Sequence, residues 1–318
     1  MTEAAHAAVE QRIARWAQFM NEPDPPRHLF IINCPMDHVP QREMRFLWPE
    51  HQDDWVEWIC QDYEGQIERL AWLGDDHVPN ACLATGTEIF AEAFGCPVVR
   101  DPDNMPFARP IVHEADDVAK VAPPTLGSCS LDRFFDAADA VRSRLGEDVL
   151  LRLPDVQSPM DVAALIWDKN DLFTAMIETP DEVKQLASMT CDLMIAFFDA
   201  WFARYGRRYV AHYPAYYMAG GLTLSEDEIG AVSPAMFDEF FLPHLVRLSE
   251  HFGGLGIHCC ANARHQWDGF LKVPNVRLIN LVQPAEVTRE AYEFFAGVCP
   301  QMHSWTGDGE PWDRPAMY

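Results

Sequence analysis

The strongest constraint on this chain is a pattern that begins at Asp75. Short apolar strands end in polar residues, and an amphipathic helix follows each one. Residues 149–156, 221–225, 255–260, 276–282 and about 298–302 read as strands, with helices over about 263–271 and 286–295. Residues 172–205 read as helix, broken at Thr179-Pro180. Strands joined by helices are parallel strands, because a parallel pair needs a long crossover. No Gly-rich dinucleotide fingerprint accompanies them, so the pattern predicts an α/β fold of the (β/α)8 TIM-barrel type rather than a Rossmann sheet. The first 74 residues are aromatic-rich and read as a mostly helical N-terminal extension around one apolar stretch, 29–34. The expected organisation is one domain over 1–318, with the extension at 1–74 and the barrel at 75–318.

Helix starts are legible. Ser158-Pro159, Thr179-Pro180 and Ser233-Pro234 each place a capping hydroxyl before a proline at the first helical position. Asp161 and Glu182 stand three residues beyond their caps, the spacing of a capping box. In the third helix Phe237, Phe241, Leu245, Leu248 and Phe252 share one face. Pro243 should kink it, and Gly253-Gly254 should end it.

Charge narrows the partners. The 318 residues carry 49 acidic and 24 basic side chains, a formal charge of −25. Without a run of Lys or Arg, such a chain repels nucleic acid and anionic membrane surfaces. No uninterrupted apolar run spans a bilayer and no apolar leader opens the chain, so a cytoplasmic location is expected. Nine cysteines, an odd number at low density, fit reduced thiols, some of them open to metal binding.

The chemistry concentrates in GGLGIHCCANARHQW, residues 253–267. Side chains alternate along a strand, so His258 and Cys260 face one side and Cys259 the other. They stand at the C-terminal strand end, where parallel barrels build active sites. An imidazole and a thiolate at that spacing are half of a tetrahedral zinc site, and three protein ligands would leave a position open for chemistry. Cys299 is the nearest third candidate, with His303 behind it. The same pair also fits plain core packing, since Cys is among the most buried residue types. Glu226 and Asp227 follow a strand and suit metal orientation or acid–base work; a solvated loop before a helix is the alternative. Asp155 is placed like a barrel-end carboxylate or a cap for the turn at Ser158. His77, His212, Tyr213 and His265 are candidate pocket residues, joined by Asn33 and Asp37 from the N-terminal segment.

The stretch LSEDEIGAVSPAMFDEFFLPHLVRL…GIHCCANARHQWDGF resembles the uroporphyrinogen decarboxylase-like superfamily. DDHVPN, TGTEIFAEAFGCPV and LRLPDVQSPMDVAALIWDKNDLF extend the similarity upstream. That group joins the decarboxylases to zinc-dependent methyltransferases that pass methyl groups from corrinoid proteins to thiols such as coenzyme M. The decarboxylases carry an Arg-rich N-terminal segment for substrate carboxylates, and here only Arg42 and Arg45 stand in that region. The resemblance is therefore closer to the methyltransferase branch. It implies His258, Cys260 and Cys299 as zinc ligands, although that branch carries its last Cys farther along. It further implies a thiol substrate and a corrinoid protein as partner. Two other readings keep the barrel: a metal-free decarboxylase or lyase of a small organic acid or porphyrinogen-like substrate, and a barrel that only binds a ligand or a corrinoid protein.

Overall fold

The computed structural model describes residues 2–22, 28–32, 51–101 and 104–307. Two of the three hydroxyl–proline starts cap as expected. Ser158 Oγ accepts from Asp161 N at 3.1 Å, and Ser233 Oγ from Met236 N at 3.3 Å. Thr179 does not cap: its backbone lies at φ −140°, ψ 59°, and its hydroxyl is buried without a partner. The capping box at Ser158 is also incomplete. Ser158 N–H donates to Ser225 O, and the Asp161 carboxylate is engaged elsewhere. Pro243 acts on its own helix. With no N–H there, the Glu239 carbonyl loses its helical donor. A π-helical stretch, Phe237–Phe241, precedes the regular helix Leu242–Phe252. Gly253, left-handed at φ 85°, closes that helix.

The strands are β1 (Ala81–Cys82), β2 (Val98–Asp101), β3 (Asn104–Ala108), β4 (Leu151–Arg152), β5 (Arg208–Val210), β6 (Tyr217–Ala219), β7 (Leu222–Ser225), β8 (Leu255–Cys259), β9 (Val276–Pro284) and β10 (Ser304–Thr306). One sheet runs β1-β4-β5-β6, the other β10-β9-β8-β7, and β2-β3 form a separate antiparallel hairpin. A parallel bridge between Gln157 and Ser225 joins the two main sheets. The whole is the (β/α)8 barrel that the alternation demanded. The expected strand at 149–156 is paired as a ladder only at its start. Beyond Arg152 its backbone bonds to a new neighbour at each step: Val210, the Thr85 hydroxyl, then Ser225. The expected strand at 298–302 shrinks to a bridge at Gln301, with β10 beyond it.

The N-terminal helix Glu3–Asn21 is fastened to the start of the barrel. Arg15 Nε reaches Asp76 Oδ1 at 2.6 Å, and Arg12 lies 3.7 Å from Asp75. Trp16 Nε1 donates to Asp76 O at 2.8 Å. Its apolar face joins the barrel core through Val9, Ile13 and Trp16. Helix Pro180–Tyr205 is the main outer support. Phe197, Phe198 and Trp201 are buried there, with the Phe90 ring 5.6 Å from Phe197. Its length and mean hydropathy would let it cross a membrane, although charged residues interrupt its apolar runs. More than half of that stretch is nevertheless buried inside the protein.

Candidate metal and catalytic site

β7 and β8 run in register, with Ser225 opposite His258. The residues that follow them therefore emerge side by side at the C-terminal mouth. The Glu226 N–H donates to His258 O at 2.8 Å, and the Cys260 N–H donates to Asp227 Oδ1 at 2.6 Å. The outcome is a trio: Asp227, His258 and Cys260 each offer a ligand atom, all within 4.8 Å of one another. The spacing of His258 and Cys260 predicted two members. The third comes from the neighbouring strand end, a residue read as catalytic.

The donor set suits a divalent metal of the zinc type, with one nitrogen, one sulfur and one oxygen. His258 is prepared for it. Asn280, opposite His258 on β9, donates its amide Nδ2 to Met302 O. Its Oδ1 therefore faces His258 Nδ1, at 2.5 Å. That oxygen only accepts, so Nδ1 carries the ring proton and Nε2 is left as the lone-pair nitrogen. Burial lowers the His258 pKa, which favours the neutral ring that ligation requires. Without a cation, desolvation and the Asp227 carboxylate push Cys260 up to about 12. A bound divalent cation reverses that logic and holds the thiolate.

Cys299 does not join the trio. It packs against the apolar core, near enough to the buried Tyr216 hydroxyl to add, after burial and Tyr209, to the rise in that group's pKa. Tyr216 in turn abuts Gly256, where a Cβ would stand 2.0 Å from the hydroxyl oxygen. Gly256 precedes His258 by two residues, about 6.6 Å along a strand. His303 is also unavailable: Nδ1 accepts from Leu281 N at 3.0 Å, and Nε2 faces Gln301 Oε1 at 2.8 Å.

A second group stands across the mouth. His212 Nε2 lies 3.2 Å from Asp155 Oδ2, and Gln157 donates to the other Asp155 oxygen at 2.5 Å. Thr85 Oγ1 accepts the Asp155 N–H at 2.8 Å. Arg152 holds the His212 carbonyl from its Nε at 2.9 Å. The next ring, Tyr213, meets His258 edge-on at 4.8 Å. Asp155, His212 and Tyr213 therefore line the same mouth as the trio.

The remaining expectations divide. Glu226 turns away from the mouth and is almost wholly buried beside Asp161, with one oxygen unpartnered. Burial first, then the Asp161 carboxylate, raises its pKa well above the ordinary value, so it is no solvated loop acid. His265 bonds the Val232 carbonyl at 2.9 Å and braces the loop rather than facing a substrate. His77 turns to Gln66 Oε1, 2.9 Å away on helix Gln52–Arg69. Asn33 and Asp37, like Arg42 and Arg45, lie outside the described residues. Sequence reasoning missed Asn280, whose only signal was its place opposite His258. It also passed over Asp161, whose position suggested a helix cap.

A family model described as uroporphyrinogen decarboxylase (URO-D) matches residues 77–299, well over half of the chain. Among curated proteins, no sequence matches. Among solved structures, a methyltransferase from Methanosarcina mazei superposes with a TM-score of 0.60 at 15% identity, covering 93% of each chain. At that identity the likeness speaks for the fold.

Proposed function

The chain belongs to the uroporphyrinogen decarboxylase family, and from that premise we propose a zinc-dependent methyltransferase that alkylates a small thiol, with a methyl-corrinoid as donor. The observation that carries the reading is the convergence of Asp227, His258 and Cys260 at the barrel mouth. Decarboxylation has no need of a soft sulfur ligand, whereas activation of a thiol does. The methyltransferase likeness of the whole fold adds support.

His258 Nε2, Cys260 Sγ and an Asp227 oxygen would hold zinc. When bound, it supplies a Lewis acid that keeps a substrate thiol as thiolate near neutral pH. The Asp155–His212 pair supplies the base. Asp155 is acceptor-only and faces Nε2, so Nε2 carries the proton and Nδ1 is free to take the one the thiol gives up. Thr85 and Gln157 hold Asp155, and Arg152 holds the His212 backbone, so the imidazole is aimed before substrate arrives. Tyr213 packs against His258 and excludes water from one side of the ring. The sulfur forms its bond to the methyl carbon, and the donor keeps the electron pair of the bond that breaks.

The test is metal analysis of protein purified without chelator, combined with methyl transfer from methylcobalamin to 2-mercaptoethanesulfonate. The expected result is one zinc per chain, and a methyl thioether formed by wild type but not by Cys260→Ser. Metal-free wild type would sink the reading.

A further inference from the structure

Asp161 stands in the first turn of helix Pro159–Ile166, within the barrel wall and 4% exposed. Both of its carboxylate oxygens are taken by backbone donors 66 and 67 residues away. Asp227 N lies 2.7 Å from Oδ2, and Glu228 N lies 3.0 Å from Oδ1. Asp161 therefore grips the very loop that carries the third metal donor. The grip is built rather than incidental. Ser158, three residues before Asp161, donates its N–H to Ser225 O at 2.7 Å, and Ser225 N–H donates to Val156 O at 2.7 Å. The far side of the loop is held too. Gln266 donates to Ile229 O and Val232 O, and Gly230 lies so close to Ala261 that a Cβ there would stand 2.9 Å from its methyl. The loop is thus held on both sides, and Asp161 holds it at the backbone of Asp227 itself, whose carboxylate accepts the Cys260 N–H.

We infer that Asp161 is a positioning residue for the metal centre: it orients Asp227 as a ligand through two backbone N–H groups. This rests on the zinc reading above and goes beyond it, because Asp161 touches neither metal nor substrate. The two backbone N–H groups of the ligand loop both end on Asp161, the kind of outer contact on which metal affinity depends.

Zinc affinity is measured by chelator competition on the full chain for wild type, D161A, D161N, D227A and the D161A/D227A pair, with the visible spectrum of the cobalt-substituted proteins alongside. Removing the grip should weaken zinc binding about ten- to a hundred-fold. D161N, which retains one acceptor oxygen, should fall between D161A and wild type. Cobalt should still show sulfur-to-metal charge transfer from Cys260 in D161A, with its ligand-field bands moved toward those of D227A. The double variant should bind no more weakly than D227A alone, as expected when one residue acts through another. T190A provides the control. Its hydroxyl donates to Pro159 O at 2.8 Å and supports the same helix without touching the loop. It should lower the melting temperature and leave zinc affinity unchanged. Wild-type affinity in D161A, additive losses in the double variant, or an equal loss in T190A would each overturn the positioning role. Wild type that takes up no zinc overturns the zinc reading and the inference with it, a result distinct from the other three.

Discussion

The two halves of the barrel are built differently. In the second half, β7, β8 and β9 run parallel in long register, Leu222 to Ser225 against Leu255 to His258 and Leu255 to Cys259 against Val276 to Leu281. In the first half, β4 and β5 pair only at Arg152 and Val210, and β5 folds back antiparallel on β6. The site divides along the same line. The regular half supplies Asp227, His258, Cys260 and Asn280. The irregular half supplies Asp155, His212 and Tyr213, held by side chains more than by ladders. A metal needs donors fixed within fractions of an ångström, which the unbroken β7–β8 ladder provides, the one β8–β9 register shift falling at Leu255, away from His258. The proton acceptor of the proposed reaction needs aim, which those side chains give without a long ladder.

The sharpest break of that comparison is H258A in the regular half, which should abolish zinc uptake and methyl transfer together, measured by metal analysis and thioether formation. In the irregular half, D155N should leave zinc bound and slow methyl transfer about 10²- to 10³-fold, the usual worth of a positioned base. Zinc lost from D155N would erase the division. A pH titration probes the irregular half alone. Burial raises Glu88, beyond β1, to about 7. The unfolded chain ionises this carboxyl near its ordinary 4.5 while the folded one stays protonated, so the folded state loses stability as pH rises from about 4.5 to 7. E88Q should therefore gain on wild type by about 2 kcal/mol between pH 5 and pH 8, read from urea midpoints, as a shift of that size implies. In the regular half, N280A should weaken zinc about tenfold or more by freeing the His258 ring. S158A, at the seam between halves, should cost about 1 kcal/mol as a lost cap, measured by thermal unfolding.

What the sequence disclosed was local in origin. The Ser158 and Ser233 starts need only a hydroxyl three residues before a backbone donor, with a proline next to it, and both form. The pairing of His258 with Cys260 follows from strand period alone. Thr179 failed because its backbone conformation belongs to the end of the preceding helix as much as to the start of the next. The partnership of Asp227 with His258 depends on register between strand positions 33 residues apart, which no local pattern encodes. Cys299 stands near a later strand end, as expected, but packs against the core instead of joining the trio. Asp161 was the instructive case: a position that reads as a helix cap served a distant loop instead.

Tyr216 beneath Gly256 has a kinetic consequence. The hydroxyl occupies the strand face at Gly256, two residues before His258, and the trio shares one mouth with the Asp155–His212 pair. In the proposed reaction a thiol would have to be seated before a donor as large as a protein settled over that mouth, and the methylated product would stay behind until the donor left. Initial-rate kinetics should therefore show compulsory order, thiol first and product last, with excess donor trapping the product in place.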